Sequence, residues 1–388
     1  MIKSILDNDL YKFTMQQAVH RLYPWAEAQY VFINRGGADF PEGFGKKLQG
    51  CINAMADLRL SDEEATYLAT TCDFLSPVYI DYLKSYRYDP HEVGVEQRCD
   101  ELILHVRGPW YRTILWEVPL MAMISELYCK NSWVSHQYTD EKCSAVNTAK
   151  AERFVKEGVK LADFGTRRRF SFANQDKVIQ DFLSVSPRAM LGTSNVYFAR
   201  KHEIKPIGTH AHEWFMFHGA VNGYRMANQT AMDAWAQVYQ GDLGIALTDT
   251  YTTDVFFDSF DSVKARLFDG VRHDSGDPII FANKVIDHYL SLGINPAFKT
   301  IVFSDSLTTE KAVMLNSHCK GKIKCSFGIG THLTNDVGIK ALNMVIKLSR
   351  CKPHPNTPWM YAVKLSDSTG KHTGDASEVN LCVQTLVF

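Results

Sequence analysis

From about residue 160 onward the chain repeats one texture: a short apolar run ending in Gly, Thr, Ser or Asp, then a stretch with helical spacing. The runs are LADFGT (161–166), AMLGTS (189–194), PIGTHA (206–211), IALTDT (245–250), FDGVRHDSGD (268–277), TIVFSDS (300–306), KCSFGIGTH (324–332) and NMVIKLS (343–349). A short apolar run suits a strand buried on both faces, and intervals of roughly 20–40 residues leave room for a helix between strands. Parallel neighbours need such crossovers, so the pattern predicts a parallel sheet curling into an irregular α/β barrel. No run repeats another in sequence, so the period is architectural. Barrel chemistry gathers at the C-terminal strand ends, where the Gly, Thr, Ser and Asp residues fall.

The first 135 residues read differently. Apolar spacing predicts a helix over 7–22, stopped by Pro24. A strand over 28–32 follows, then a helical stretch over 48–69 in which Ser61 and Glu64 have capping-box spacing. Residues 92–97 and 101–106 suit paired strands, and 116–128 an amphipathic helix. This mixture predicts an N-terminal α+β domain over 1–135 and a barrel domain over 136–349 carrying most of the active site. Residues 350–388 are expected to return to the N-terminal domain as polar turns and a terminal strand.

Composition narrows the function classes. At 388 residues the chain exceeds one ordinary core. Forty-two basic and 43 acidic residues give a net charge of −1, which removes the general attraction to nucleic acid. No apolar stretch is long enough for a membrane helix, and MIKSILDNDLYKF lacks the apolar core of a signal peptide. Nine cysteines with no C-x-x-C pair fit reduced thiols in a cytoplasm.

Four Gly-Thr pairs close barrel runs: Gly165-Thr166, Gly192-Thr193, Gly208-Thr209 and Gly330-Thr331. One pair is ordinary turn chemistry, whereas four at one barrel end suggest a site for phosphates or a polyhydroxyl compound. Gly328-Ile329-Gly330-Thr331 is the candidate phosphate cradle, although it lacks the G-K-[ST] ending of a P-loop. In a near-neutral chain, the consecutive Arg167, Arg168 and Arg169 call for an anionic ligand or acidic neighbours. Arg272 and Asp274 lie two apart on a strand and point the same way. That pair suits either a ligand with a carboxylate and ribose hydroxyls or a structural ion pair. PIGTHAHEW allows two readings. His210 and His212 form a metal pair, with His273 and Asp274 completing a hydrolase site. Alternatively His212 alone starts a helix over 212–240 and acts as a nucleophile towards phosphorus. Asp305, between Ser304 and Ser306, ends the next strand with a carboxylate.

Taken in order, DNDLYKFTM, DFGTRRRFS, LGTSN, PIGTHAHEW, GVRHDSGDP, IVFSDSL and FGIGTHLTND resemble the motifs of the bacterial nicotinate phosphoribosyltransferase family, from residue 7 to at least 340. The resemblance implies a type II phosphoribosyltransferase-like barrel, usually dimeric with shared active sites. It also implies transfer of phosphoribose from phosphoribosyl pyrophosphate (PRPP) to nicotinate, coupled to ATP hydrolysis, with Mg2+ accompanying the phosphates. By the same resemblance His212 is the histidine phosphorylated by ATP and His210 a bystander. Phe164 stacks on the pyridine ring, with Tyr11 contributed by the partner subunit. Arg272, Arg167 and Thr209 resemble the ligands of nicotinate and its carboxylate. Asp274 and Asp305 resemble ribose or Mg2+ groups, and Gly328, Gly330 and Thr331 the 5′-phosphate cradle. The related nicotinamide enzyme has an aspartate where this chain has Ser194. A carboxylate there would repel nicotinate, whereas a serine hydroxyl donates to it, so the acid is the expected substrate. A metal-dependent hydrolase and a non-catalytic nucleotide-binding relative are the competing readings.

Overall fold

The structure is a computed structural model that describes residues 1–130, 140–368 and 370–386. The domain boundary expected between 135 and 136 lies outside the described residues. Three strands open the chain: β1 (Glu27–Asn34), β2 (Val93–Arg98) and β3 (Glu101–Pro109). Seven short ones follow: β4 (Leu161–Asp163), β5 (Gly192–Thr193), β6 (Lys205–Pro206), β7 (Ile245–Leu247), β8 (Gly270–His273), β9 (Thr300–Phe303) and β10 (Lys324–Ile329). β11 (Met344–Lys352) and β12 (Met360–Tyr361) come last. They build two sheets, an antiparallel one in the order β12-β11-β1-β3-β2 and a curled one in the order β6-β5-β4-β10-β9-β8-β7. Every pairing in the seven-stranded sheet is parallel, as the run-and-helix texture predicts.

The parallel sheet does not close by backbone pairing, because β6 and β7 are its two edges. Side chains stitch the gap instead. The Thr209 hydroxyl donates to the Ile245 carbonyl at 3.0 Å, and the Leu247 N–H donates to His210 Nε2 at 3.2 Å. His210 is buried and its ring packs 4.7 Å from Trp235. It is a structural residue of the barrel seam.

The NMVIKLS run is not a barrel strand. It is β11, which pairs antiparallel with β1 along the register Asn34↔Met344 to Glu27↔Lys352. Met344, Ile346 and Leu348 are buried and their neighbours less so, the period-two pattern of a sheet with one core face. The expected terminal strand is instead a helix, Ala376–Leu386, whose first turn is capped by Asp375 Oδ1 accepting from the Ser377 N–H at 3.0 Å. The helix over 48–69 is two helices, Phe44–Ala54 and Asp62–Thr71. The capping box at Ser61 and Glu64 starts the second, with both reciprocal bonds present. The stretch over 212–240 is likewise divided into His212–Asn222 and Ala227–Tyr239. The helix expected to be amphipathic over 116–128 spans Glu117–Lys130 and is buried nearly all round, wedged between the two sheets' helices and β11.

The first helix, Leu10–Leu22, is buried from Leu10 to Val19. It therefore carries its polar residues inside, and each needs a partner. Lys12 Nζ lies 2.5 Å from both Glu117 Oε2 and Glu213 Oε2, and Glu213 Oε1 also accepts from the Trp110 indole N–H at 2.7 Å. The helix start is held under the barrel rim: the Leu10 N–H donates to the Ser194 carbonyl at 2.7 Å. A Cβ at Gly208 would sit 2.9 Å from the Tyr11 nitrogen, so only glycine lets this helix approach. Among the described residues no helix is long and apolar enough to cross a membrane.

Candidate functional site

Three adjoining cavities open at the C-terminal ends of the parallel strands. The first is a slot with Tyr11, Phe164, Thr209, Ser194 and Asp9 around it and an apolar wall of Ile207, Ile245 and Val302. Phe164 follows β4, and its N–H donates to the Ile329 carbonyl at 2.8 Å. Its ring lies flat against β10, where a Cβ at Gly328 would come within 2.3 Å of it. Gly328 thus makes room for an aromatic ring as well as lining the neighbouring cleft. Such a slot has the shape and polarity for a flat heteroaromatic ligand with one polar edge.

The second cavity is a cleft of about 410 Å3 lined by Gly328, Gly330, Thr331, Arg168, Ser304 and Thr308 among others. Hydroxyls, backbone and guanidinium groups outnumber the apolar Phe164, Leu307 and Ala341 there, and such a lining suits phosphate oxygens. The third is a small enclosed cavity lined by Tyr11, Glu117, His212, Glu213, Asp274 and Lys347. Arg167 and Arg272 line all three. Arg169, by contrast, is fully buried and paired with Asp7 at 2.8 and 2.9 Å, so it is structural.

His212 is the first residue of its helix. Its Nδ1 lies 3.0 Å from Thr250 Oγ1, while Nε2 lies 3.0 Å from Asp274 Oδ2 and 2.9 Å from Lys364 Nζ. Those two partners make opposite demands, since a carboxylate favours Nε2–H and an ammonium favours a lone pair. Burial pushes the imidazole pKa down to about 4, helped by Lys364, so the ring is neutral. Asp274 also meets Arg272 Nη2 at 2.9 Å and Ser304 Oγ at 2.7 Å. Burial raises its pKa, but Arg272 and His212 outweigh that and hold it well below the usual carboxylate range. Asp249 is held low in the same way by His212 and by Lys364, whose Nζ lies 3.2 Å from Oδ2.

The ligand atoms of His212, Asp249 and Asp274 lie within 4.8 Å of one another. Asp249 Oδ1 is buried without a hydrogen-bond partner. A free carboxylate oxygen beside a second carboxylate fits a hard divalent cation that keeps most of its contacts to phosphate. The zinc set of His210, His212, His273 and Asp274 is not assembled. His210 serves the seam, and His273 is buried with its ring against Phe281 at 4.9 Å and Phe303 at 5.7 Å.

Most of the residues singled out in the sequence converge here. Asp305 does not: it faces Lys371 Nζ at 3.4 Å and lines none of the three cavities. Tyr11 lines the slot of its own chain. Ser194 lines the slot, but its hydroxyl donates to Asp9 Oδ1 at 2.8 Å and is not free for a ligand. The slot therefore contains a carboxyl group despite the serine. Sequence reasoning missed Asp9, Glu117, Asp249, Lys347 and Lys364. Asp249 could have been found, because it closes the IALTDT run just as Asp274 follows the next one. Lys347 and Lys364 come from beyond the barrel. Lys347 makes no hydrogen bond or ion pair among the described residues, and burial pushes its ammonium down to about 8.

A curled parallel sheet with an aromatic slot, a phosphate cleft and a charged corner meeting at two arginines is the arrangement of a type II phosphoribosyltransferase-like barrel. The family model described as "Nicotinate phosphoribosyltransferase (NAPRTase) family" matches residues 159–387, and its N-terminal domain model matches residues 6–125. The nicotinate phosphoribosyltransferase of Desulforapulum autotrophicum is 55% identical over 386 residues, covering 100% of this chain and 99% of its own. That of Chromohalobacter salexigens is 50% identical over 388 residues, with coverage of 100% and 99%. A crystal structure of the Porphyromonas gingivalis enzyme superposes with a TM-score of 0.96 at 45% identity, covering 100% of both chains. The chain belongs to the nicotinate phosphoribosyltransferase family.

Proposed function

We propose that this protein transfers the phosphoribosyl group of PRPP to nicotinate, giving nicotinate mononucleotide and pyrophosphate, and drives the transfer with ATP through a phosphohistidine at His212. The observation that carries the reading is the position of Arg167 and Arg272, which line the slot, the cleft and the His212 cavity together. Phe164 and Tyr11 flank the pyridine ring, with Arg167, Arg272 and Thr209 at its polar edge. Gly328, Gly330 and Thr331 receive the 5′-phosphate. The ring nitrogen then attacks C1′: the C1′–N bond forms as the C1′–O bond breaks, and pyrophosphate leaves with the electron pair. The nitrogen has no proton to lose, so no strong base is required. Catalysis rests on positioning and on charge opposite the leaving group. Asp249 and Asp274 would hold Mg2+, which supplies positive charge to the phosphates when bound.

In the ATP-dependent step the neutral His212 imidazole attacks the γ-phosphorus and ADP leaves; water later takes the phosphoryl group. The phosphohistidine adds about two negative charges beside Asp249 and Asp274. Lys364 and Lys347 are the ammonium groups placed to balance them. The test is incubation with nicotinate, PRPP, Mg2+ and labelled ATP. We expect the mononucleotide and an acid-labile, base-stable phosphoprotein. His212→Ala should lose the label and ATP hydrolysis while retaining slow ATP-independent transfer. Normal ATP stimulation in that variant overturns the assignment of His212.

A further inference from the structure

Asp9 is 2% exposed and lines the slot beside Ser194. Two residues earlier, Asp7 has a guanidinium on both oxygens. Asp9 has none: among the described residues no basic nitrogen lies within 4.0 Å of its carboxyl. Hydroxyls serve it instead, Ser194 at 2.8 Å from the end of β5 and Thr166 from the turn after β4. The other charged groups facing it are Arg167 from that same turn, Glu117 from the helix Glu117–Lys130, Asp163 at the end of β4, and Arg169. A buried carboxyl with hydroxyl partners only is easily neutralised by a proton. Burial dominates its surroundings and raises its pKa, with Arg167 opposing.

We propose that Asp9 sets selectivity for the acid over the amide by carrying a proton whenever nicotinate is bound, which turns the Ser194 hydroxyl towards the substrate carboxylate. The inference rests on the nicotinate reading given above. With Asp9 ionised, the Ser194 proton points at Asp9, and a second carboxylate in the slot meets only oxygen lone pairs. With Asp9 protonated, its O–H donates to Ser194 Oγ and the Ser194 O–H donates to nicotinate. One proton from solvent joins the pair and no covalent bond changes. Nicotinamide needs no such proton, because its NH2 group donates to Ser194 Oγ while Ser194 still donates to the ionised Asp9. Asp9 is thus a positioning residue that acts through Ser194.

Above the Asp9 titration, the Kd for nicotinate should rise about tenfold per pH unit while that for nicotinamide stays flat. Lys347, pushed down to about 8 by burial, faces the His212 cavity and its charge favours the anion, so both Kd values are also measured in a Lys347→Met background, which removes that charge from the comparison. The experiment measures both Kd values between about pH 6 and pH 9, for the wild type and for Asp9→Asn. In Asp9→Asn the amide donates permanently to Ser194, and the ratio should become independent of pH. A flat ratio in the wild type, or an unchanged slope in Asp9→Asn, overturns the proposal. Should the variant fail to fold, calorimetry of the wild type in buffers of different ionisation enthalpy decides. Uptake approaching one proton per nicotinate at the alkaline end supports the proposal, and no uptake across the range overturns it. Failure to form mononucleotide from nicotinate and PRPP would instead remove the functional reading itself.

Discussion

Two groups of carboxyls, all buried except the half-buried Asp274, sit under the same barrel rim and differ in the direction of their pKa shifts. Asp249 and Asp274 have Lys364 and Arg272 at 3.2 and 2.9 Å, and their pKa values are held down despite burial. Asp9 and Asp163 have hydroxyls and amides only, such as Thr193 Oγ1 and Gln175 Nε2, each 2.8 Å from Asp163 Oδ2. For these two, burial dominates and the pKa rises. Depth therefore does not decide ionisation here; a cation within ion-pair distance does. One group is held charged by its cations, and the other is pushed towards its protonated form.

The largest test of this contrast is acid unfolding. Burial lowers the pKa of His210 to about 3 and those of His212 and His218 to about 4. An unfolded histidine titrates near 6.5, so between that value and about 4 the unfolded chain binds up to three more protons. Stability should be fully present above pH ~6.5, fall by up to about 4 kcal/mol per pH unit between there and the folded values, and level off below them. Asp9 and Asp163 act with the opposite sign. Their contribution is complete below pH ~3.9 and is lost as pH rises through their raised values. Urea midpoints across the acid range check this, and a flat curve would mean that the imidazoles are charged in the fold.

Next in size is Arg169→Met, which would convert Asp7 into a carboxyl without a cation. It should destabilise by about 3–5 kcal/mol, and a loss below about 1 kcal/mol would show that Asp7 behaves like Asp9. Gly328→Ala probes the slot wall rather than its charge. The added methyl must displace the Phe164 ring, so KM for nicotinate should rise about tenfold, with KM for PRPP less affected. An unchanged nicotinate KM would place the pyridine elsewhere. The smallest effect is on the stability of Asp9→Asn near neutral pH. The amide keeps the Ser194 and Thr166 contacts, so urea unfolding should shift by less than about 1 kcal/mol. A loss like that of Arg169→Met would erase the distinction between the two groups.

The barrel was legible because its strands end in residues that only strand ends need. All eight runs carried Gly, Thr, Ser or Asp near their ends, and seven of them form the parallel sheet. NMVIKLS was misplaced because its apolar content was weighed more than its alternation, which marks a one-sided strand. The terminal helix was missed because Val, Thr and Cys suggest a strand, although Asp375 stands at the capping position. In the site, residues within motifs were visible one by one. Lys347 and Lys364 were not, because nothing local distinguishes a lysine on a surface turn from one folded back towards His212. The Lys12–Glu117–Glu213 cluster joins residues up to 201 positions apart and has no local signature either.

β1 lies at the centre of its sheet, between β3 and β11, and Ser349 bonds to Gln29 across 320 positions of sequence. During synthesis that strand keeps one bare edge until residues 344–352 have left the ribosome. His212 waits longer still, since its ammonium neighbour is residue 364. A chain halted before that point would display the arginines and the aromatic slot without the counter-charge beside the imidazole. Translation order thus delays the charged corner around His212 until after the slot and the cleft have been made.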